Sequence, residues 1–413
     1  MKFSQYLRKF DMKYIGVALF MLALVAADNW AVLVAGSDGF WNYRHQADVS
    51  HAYQILKKGG IPEDHIITMM VNDIAFNKEN PLQGAIYNHP GDNPQNVYEG
   101  VKIDYEGDDV SAENFKKVLL GDESTGKKVL KSTENDNVFL FFSDHGTPLI
   151  LGFPKDELSR RQLHAVLKQM HEKKMYKRFV LYIEACYSGT MGTDLPDDIG
   201  VYMVTAANEE ETSKATYCEE EAVVKGVNIG TCLGDEFSVS WMEDTDKGEQ
   251  KTETLDEQFD IVKQRVPRSH VMRYGDMSYT TDVIGEYVGY PASAPAQKVE
   301  KENKKYSQID SRDAKMYYLR HKYLTTTGED KKKYEKLYYE ELNIRQQYEM
   351  YFHSIAPADR YYEAVKEIED YDCFEKGIAQ MKAILGRNDY QYKFYHVIAN
   401  ICNENPLAFS GYY

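Results

Sequence analysis

The first 290 residues alternate between short apolar runs and longer segments in which apolar residues recur every three or four positions. An unbroken apolar run that ends at a turn residue is typical of a buried strand in a parallel sheet, and the longer spacing is typical of an amphipathic helix. Strands are predicted at 30–36, 65–71, 138–142, 179–184 and 201–206, and helices at 47–58, 111–120 and 158–173. The alternation predicts an α/β fold, with a mostly parallel sheet flanked by helices and right-handed crossovers.

A break in this pattern follows Tyr290, where two prolines stand among small residues in Pro-Ala-Ser-Ala-Pro-Ala. Such a stretch is typical of an exposed linker. Beyond it the apolar spacing is helical almost throughout, and helices are predicted at 310–324, 331–352, 360–369, 374–385 and 390–402. We therefore predict a first domain over 28–290, a linker over 291–330 and an all-α domain over 331–413.

The N-terminus places several Lys and Arg residues before an apolar run at 14–27. A run of about 14 residues is short for a membrane span and typical of the core of a signal peptide. Val25 and Ala27 suit the two small positions before a cleavage site, so a signal peptide is predicted over 1–27. A retained anchor and a buried helix are the alternatives for this segment.

The net charge of −16 at pH 7 disfavours nucleic acid and anionic membrane surfaces as partners. From Ser293 onward the chain carries equal numbers of basic and acidic side chains, so the whole negative charge lies in the first 292 residues. We expect the acidic body to attract basic clusters of the tail, such as 331–333, and this attraction to weaken as body carboxylates protonate.

Five cysteines in a secreted chain leave one without a disulfide partner. Cys218 and Cys232 are close in sequence, as are Cys373 and Cys402, and these are the natural pairs. The remaining thiol, Cys186, is either deeply buried or kept reactive.

Two predicted strands end in residues that carry chemistry: Ser-Asp-His-Gly follows one, and Glu-Ala-Cys ends the other. Sites in parallel sheets form beyond the carboxyl ends of the strands, so His145 and Cys186 meet there if the two strands are neighbours. An imidazole beside a thiol holds it as a thiolate or takes its proton as it attacks. Gly146 permits a close backbone approach, and its N–H and that of Cys186 are candidates for an oxyanion hole. Taken singly, a loop histidine and a structural cysteine are the common alternatives.

Metal and cofactor chemistry finds no support in the motifs. The spacings of His and Cys show no zinc pattern, and no glycine loop that cradles phosphate is present. A dinucleotide fold is the generic alternative for such a sheet, but Gly-Ser-Asp-Gly-Phe-Trp at 36–41 lacks the required glycine spacing. We predict no metal and no cofactor.

Three blocks of sequence carry a family resemblance: AGSDGFWNYRHQAD at 35–48, SDHG at 143–146 and EACYSG at 184–189. Together they resemble the legumains, which are asparaginyl endopeptidases or vacuolar processing enzymes of cysteine peptidase family C13, in the clan with a caspase-like fold. Shorter agreements, such as TAAN at 205–208, WMED at 241–244 and SHVMRYGD at 269–276, extend the resemblance over nearly the whole chain.

The resemblance implies roles for individual residues. Cys186 matches the nucleophile, His145 the catalytic histidine and Asn42 the residue that orients it. The positions that match the primary specificity pocket are Arg44, Glu184, Ser213 and Asp235, with His45 and Tyr187 flanking them. The Asp235 match crosses an inserted stretch at 219–230. Such a pocket suits asparagine, because an arginine donates to the amide oxygen while carboxylates accept from the amide nitrogen.

The resemblance also implies how the domains work. It implies a caspase-like catalytic domain over 28–290, an activation segment within 291–330 and a death-domain-like helical prodomain over 331–413 that caps the active site. The expected enzyme cleaves after asparagine, and after aspartate at acid pH. It is made as a zymogen that cuts its own linker after Asn303, or after Asp330 at low pH.

The expected partners are peptide and protein substrates that contain asparagine, the chain's own prodomain as an intramolecular inhibitor, and cystatin-type inhibitors. The expected destination is the secretory pathway, either an acidic compartment of lysosomal or vacuolar type or the extracellular space.

Three alternatives stay open at this point. The same fold supports peptide ligation when an amine, in place of water, attacks the thioester. A second alternative is the catalytic subunit of the GPI transamidase, which shares the Asn-Tyr-Arg-His block but lacks the helical prodomain. A third is a catalytically silent binding protein, which the intact Cys186, His145 and Asn42 disfavour.

Overall fold

The structure is a computed structural model that describes residues 28–291, 308–363 and 367–411, so the predicted signal peptide and Asn303 lie outside the described residues. The strands are β1 Asn29–Ala35, β2 Ile66–Met69, β3 Asn137–Ser143, β4 Gly146–Thr147, β5 Ile150–Gly152, β6 Glu157–Ser159, β7 Arg178–Glu184, β8 Val201–Thr205, β9 Lys214–Thr216, β10 Val223–Val224, β11 Val227–Asn228, β12 Gly234–Asp235, β13 Met272–Gly275 and β14 Gln308–Asp310. The helices are α1 Tyr43–Lys58, α2 Ala112–Leu119, α3 Arg160–Glu172, α4 Glu236–Thr245, α5 Leu255–Arg265, α6 Gly285–Val288, α7 Ala314–Thr325, α8 Gly328–Ile355, α9 Tyr371–Leu385 and α10 Tyr395–Glu404.

Six strands form the central sheet in the order β13-β8-β7-β3-β1-β2. The pairs from β8 to β2 are parallel, and β13 runs antiparallel to β8 at the edge. The predicted mixed α/β architecture with a mostly parallel sheet is confirmed. The antiparallel edge strand was not predicted, because β13 is partly exposed and has no continuous apolar run.

Both faces of the sheet are buried, which explains the unbroken apolar runs of its strands. Along β1, Val32 and Val34 face a core that α2 and α3 cover. Ala31 and Leu33 face the opposite core, which α1, α4, α5 and α6 cover. The carboxyl ends of the strands stay uncovered by these two layers, and the candidate site lies there.

The tail, residues 308–411, packs on the body in two parts. Its first strand, β14, pairs antiparallel with β9, so the tail begins as an edge strand of a small sheet of the body. The helices α7 and α8 then pack on each other as a hairpin. The end of α8 joins α9 and α10 around a separate core that includes Tyr348, Phe352 and Phe394.

The tail differs from the predicted helices at one place. Residues 360–369 were predicted to be helical, but the structure has only a 3₁₀ turn at Asp359–Tyr362 and no helix in the described residues up to 370. The carbonyl oxygens of Tyr361 and Glu363 instead accept hydrogen bonds from the Asn400 side chain. These tertiary contacts replace the backbone bonds that a helix would need. No helix in the described part of the chain is long and apolar enough to cross a membrane.

The two disulfides are those that the sequence predicted, Cys218–Cys232 and Cys373–Cys402. The second links α9 to α10 across a separation of 29 residues. Replacing both cysteines of this pair by serine is expected to destabilise the tail by about 3–4 kcal/mol, because the unfolded chain then gains loop entropy. Denaturant unfolding, followed in a Cys186→Ala background to prevent thiol exchange, measures this loss. An unchanged unfolding midpoint would contradict the expectation.

Candidate active site

The carboxyl ends of β3 and β7 bring His145 and Cys186 to the same edge of the sheet. The two strands are parallel neighbours, and Ser143 pairs with Glu184. His145 and Cys186 each follow two residues later and are buried. A Cβ atom added to Gly146 would lie 2.4 Å from the carbonyl oxygen of Cys186, so only glycine fits where the two segments touch.

Asn42 orients the imidazole of His145. Nε2 of His145 lies 3.0 Å from Oδ1 of Asn42, at the end of the 3₁₀ turn Phe40–Asn42 that leads into α1. An amide oxygen only accepts hydrogen bonds, so Nε2 carries the proton. Nδ1 of His145 is buried and has no hydrogen-bond partner. This tautomer leaves the Nδ1 lone pair available to accept a proton.

Cys186 is the one free cysteine of the chain, and it is fully buried. Its Sγ lies 3.8 Å from Oγ of Ser213. Burial raises the pKa of the Cys186 thiol to about 11, with the Arg312 charge opposing this rise and the Asp310 charge adding to it. In this closed form the sulfur is therefore a protonated thiol at neutral pH.

The predicted pocket residues meet next to Cys186. Arg44 is fully buried, and its Nε donates to Oδ1 of Asp235 at 3.0 Å. Oε2 of Glu184 accepts from the backbone N–H and the hydroxyl of Ser238, both at 2.9 Å. The other oxygens, Oε1 of Glu184 and Oδ2 of Asp235, have no hydrogen-bond partner. The pocket therefore presents one guanidinium and two free carboxyl oxygens.

Burial sets the charge of this pocket. It raises the pKa of Glu184 well above its usual range, and repulsion from Asp235 adds to the rise. Burial also raises the pKa of Asp235, while Arg44 opposes this rise. Nε2 of His45 lies 3.4 Å from Oδ2 of Asp235, but burial lowers the pKa of His45 well below 6.5, so its ring is neutral. Arg44 is thus the fixed positive charge among these groups.

Ser238 also belongs to the pocket and was not predicted from the sequence. Ser238 is the third residue of α4, and α4 starts directly after Asp235. Its amide belongs to the first turn of the helix, where backbone N–H groups have no helical acceptor. The segment from Asp235 to Ser238 therefore provides both a pocket carboxylate and the hydrogen-bond donors that orient Glu184. In the sequence, the only sign of this role was a serine three residues after the predicted pocket residue Asp235.

Asp389 of the tail contacts Asn42 and His145. Oδ2 of Asp389 accepts from Nε1 of Trp41 at 2.9 Å and from Nδ2 of Asn42 at 3.0 Å, and it lies 3.6 Å from Nε2 of His145. Burial alone would raise the pKa of Asp389, but its interactions with His145, Trp41 and Lys315 hold it well below its usual range. Tyr392 stacks on the His145 ring with centroids 5.9 Å apart.

The segment 308–313 occupies the pocket from the other side. Oγ of Ser311 accepts from Nη2 of Arg44 at 2.7 Å, and the Ser311 carbonyl accepts from the same atom at 3.3 Å. Arg312 donates to the carbonyl oxygen of Gly146 at 3.4 Å and covers the ring of Tyr187. In this form the tail occupies the space next to Arg44 and Tyr187.

The predicted processing positions receive no test from the structure. Asp330 is exposed and lies in the first turn of α8, where its backbone is helical. Cleavage after Asp330 therefore requires that turn to unwind. Helix α7 lies within the segment predicted as linker, and the boundaries at 290 and 330 stay predictions.

Three side chains, including that of His145, place possible metal-ligand atoms close together. One atom each from His45, Asp144 and His145 lies within 4.8 Å of the others, and all three residues are buried. Nδ1 of His45 accepts from the hydroxyl of Ser37 at 2.6 Å or donates to it. Burial raises the pKa of Asp144 to about 7. His45 and Asp144 lie beside His145, and this arrangement was not foreseen from motif spacing.

The Peptidase C13 family matches this chain over residues 29–290. The chain is 38% identical to the vacuolar-processing enzyme delta-isozyme of Arabidopsis thaliana over 410 residues, covering 91% of this chain and 86% of that protein. It is 38% identical to legumain of Bos taurus over 402 residues, covering 92% and 89%. It is 48% identical to legumain of Mus musculus over 274 residues, covering 65% of this chain and 61% of that protein. A crystal structure of caspase-1 from Spodoptera frugiperda matches with a TM-score of 0.38 and 9% identity, covering 65% of this chain and 92% of that chain.

The chain belongs to the Peptidase C13 family. It is a cysteine endopeptidase, related over most of its length to vacuolar-processing enzymes and legumains. The recognition of this family from the three sequence blocks is confirmed.

Proposed function

We propose that this cysteine endopeptidase cleaves after asparagine. The observation that supports this specificity is the pocket beside Cys186, where the Arg44 guanidinium lies next to unpartnered oxygens of Glu184 and Asp235. A side-chain carboxamide has an acceptor oxygen and two N–H donors on opposite sides. Arg44 donates to the oxygen once Ser311 has left, and the two carboxyl oxygens accept from the nitrogen.

The same pocket accepts aspartate only in acid. A substrate carboxylate brings a negative charge against Glu184 and Asp235, and no donor on the substrate meets their free oxygens. A protonated carboxylic acid has the shape of the carboxamide and one O–H donor. Cleavage after aspartate therefore requires a pH low enough to protonate that substrate side chain.

The reaction proceeds through a thioester. Sγ of Cys186 attacks the backbone carbonyl carbon of the substrate asparagine, and the proton of the thiol passes to Nδ1 of His145. Backbone N–H groups of Gly146 and Cys186 donate to the oxyanion. His145 gives the proton to the departing amine, and water then attacks the thioester with His145 as base. This step releases the peptide with a new carboxyl terminus. The proton taken by His145 returns to Sγ of Cys186, which restores the free thiol.

We infer that the tail keeps this enzyme inactive until acid displaces it. Ser311 occupies Arg44, and Asp389 occupies the Asn42 and His145 pair, so a substrate cannot reach either group in the closed form. The tail is then an intramolecular inhibitor, and the chain is a zymogen. A vacuolar or lysosomal destination agrees with the names of the relatives; cystatin-type inhibitors stay a prediction.

Acid weakens the docked tail at two titrating contacts. Burial alone would raise the pKa of Glu79, but Tyr334 and Lys333 of the tail hold it below its ordinary value of 4.5, so this contact weakens as pH falls below that value. Burial and the charge of Arg312 lower the pKa of His396 from 6.5 to about 4. Arg312, Tyr362 and His396 all belong to the tail, so an unfolded tail binds a proton at His396 that the folded tail does not, and the folded tail loses stability as pH falls from 6.5 towards 4.

Replacing His396 by glutamine is expected to move the onset of acid activation to lower pH by about one unit, because glutamine bonds the Tyr362 carbonyl and never charges beside Arg312. The measurement is turnover of an Ala-Ala-Asn reporter after incubation at graded pH. His353→Gln, on the exposed side of α8, is the matched control and should activate like the wild type. If activation began at the same pH in both variants, His396 would have no part in the response to acid.

The specificity is tested by incubating acid-treated full-length protein with a peptide library and reading the products by mass spectrometry. Cuts are expected after asparagine, and cuts after aspartate are expected to appear only as the pH falls. Frequent cuts after lysine, arginine or apolar residues would overturn the proposal. Products in which a peptide amine has joined the asparagine would show that ligation competes with hydrolysis. The tail's new N-terminus identifies the processing site.

A further inference from the structure

A third carboxyl group, Asp48, lies beneath the pocket. It stands four residues after Arg44 in α1, so both side chains project from the same face of the helix. Asp48 is fully buried. Its Oδ1 accepts from Nδ2 of Asn88 at 2.7 Å and lies 3.4 Å from the backbone nitrogen of Asp235. Its Oδ2 lies 3.3 Å from the hydroxyl of Ser143.

The partners of Asp48 are an amide, a backbone N–H and a hydroxyl, and none of them carries a positive charge. Arg44 is already bonded to Asp235, and the neutral ring of His45 supplies no charge. If Asp48, Glu184 and Asp235 were all ionised, three negative charges would face one guanidinium in a site closed to water. An uncompensated buried charge costs several kcal/mol, so the site retains protons.

The hydrogen bonds indicate which carboxyl keeps its proton. Asp235 has the guanidinium of Arg44, and Glu184 has two donors from Ser238. Asp48 has the least support for a negative charge. Burial raises its pKa well above the usual range, and repulsion from Asp235 and Glu184 adds to the rise.

We propose that Asp48 is a positioning residue of the asparagine pocket, a carboxylic acid that stays protonated and donates its O–H to the Asp235 carboxylate. This inference rests on the proposed cleavage after asparagine. Hydrogen bonds from Arg44 and from Asp48 then both favour the ionised form of Asp235, which remains free to accept from the substrate amide. The pocket then carries two carboxylates and one guanidinium, without a third negative charge.

Asn88 holds this arrangement in place. Its Nδ2 donates to Asp48 and also to the carbonyl oxygen of Leu233 at 2.9 Å, so it joins Asp48 to the loop that carries Asp235. Its Oδ1 accepts from Nδ1 of His51, whose Nε2 bonds Asp246 near the surface. Because the second amide hydrogen of Asn88 is donated to Leu233, Asn88 gives Asp48 a single neutral hydrogen bond and no positive charge.

Two substitutions at Asp48 in the acid-activated full-length protein test the proposal. Asp48→Leu removes the donor and is expected to lower kcat/KM on an asparagine peptide by about tenfold or more, mainly through KM, as for a lost hydrogen bond to a charged acceptor. Asp48→Asn keeps an N–H donor in the same place and is expected to recover kcat/KM to within about threefold of the wild type. An asparagine variant as weak as the leucine variant would overturn the proposal.

The proton is read directly by infrared difference spectroscopy of folded wild type against Asp48→Asn. A protonated carboxylic acid has its own carbonyl band, and the Asp48 band is expected to remain in the difference spectrum at neutral pH, where bands common to both proteins, such as that of Glu236, cancel. Absence of the band in the difference spectrum would overturn the proposal even if Asp48→Leu fails to fold. A wild type that shows the band but ignores asparagine peptides would overturn the proposed specificity, and leave the proton on Asp48 established.

Discussion

Replacing Cys186 by alanine is expected to abolish cleavage of an Ala-Ala-Asn reporter, with kcat falling by about 10⁵-fold or more. In the proposed mechanism the thiol forms the covalent bond to the substrate, and the other cysteines are tied in disulfides, so no second thiol can substitute. His145 and the oxyanion donors then act only on water. The measurement is reporter turnover of wild type and variant after the same acid incubation.

Two controls accompany this variant. Thermal unfolding should match that of the wild type, because alanine fits the buried site of Cys186 with the loss of one atom. His171→Ala, on the exposed side of α3, should retain full turnover. Turnover of Cys186→Ala within tenfold of the wild type would show that a different group is the nucleophile.

The second large effect is a change of specificity in Glu184→Gln. The amide oxygen of glutamine can accept from Ser238 as Oε2 of Glu184 does now, which turns the amide nitrogen into the pocket in place of the unpartnered Oε1. A donor then faces the amide nitrogen of asparagine. We expect kcat/KM for asparagine to fall by about 100-fold or more, as in sites that leave a buried polar group unpaired.

The same variant is expected to raise the ratio of aspartate to asparagine cleavage near neutral pH, because the new donor suits a carboxylate. Paired peptides that differ only in this residue measure the ratio. Glu236→Gln is the matched control: Glu236 is the next acid after Asp235, and burial raises its pKa to about 8, so it is already neutral at pH 7. A ratio unchanged in Glu184→Gln would contradict the role of this carboxylate.

Most of the sheet followed from local sequence. Strands β3 and β7 are buried on both faces, so the five residues between the polar ends of each strand are all apolar. Helix α2 begins where Ser111 accepts a hydrogen bond from the backbone of Asn114, at the start of the helix predicted over 111–120. Periodicity failed at 360–369, where contacts with Asn400 decide the backbone.

The site also contains features that the sequence predicted and features that only the structure reveals. His145 and Cys186 were identifiable because each follows an apolar strand, and parallel strands place their carboxyl ends together. The resemblance named Arg44, Glu184, Ser213 and Asp235, but the hydrogen bonds that leave Oε1 of Glu184 without a partner depend on Ser238 in another element. No spacing in the sequence encodes that contact.

The sequence by itself determined the five parallel strands of the central sheet, helices α1 to α3, the placement of His145 and Cys186 at two strand ends, and both disulfides, since these depend on patterns within a few residues or on short separations. Only the tertiary structure decided how the tail closes the site. Asp389 reaches Asn42 across 347 positions, and Ser311 reaches Arg44 across 267. Such contacts depend on how separately formed units dock, and docking is set by complementary surfaces rather than by the local sequence of either unit.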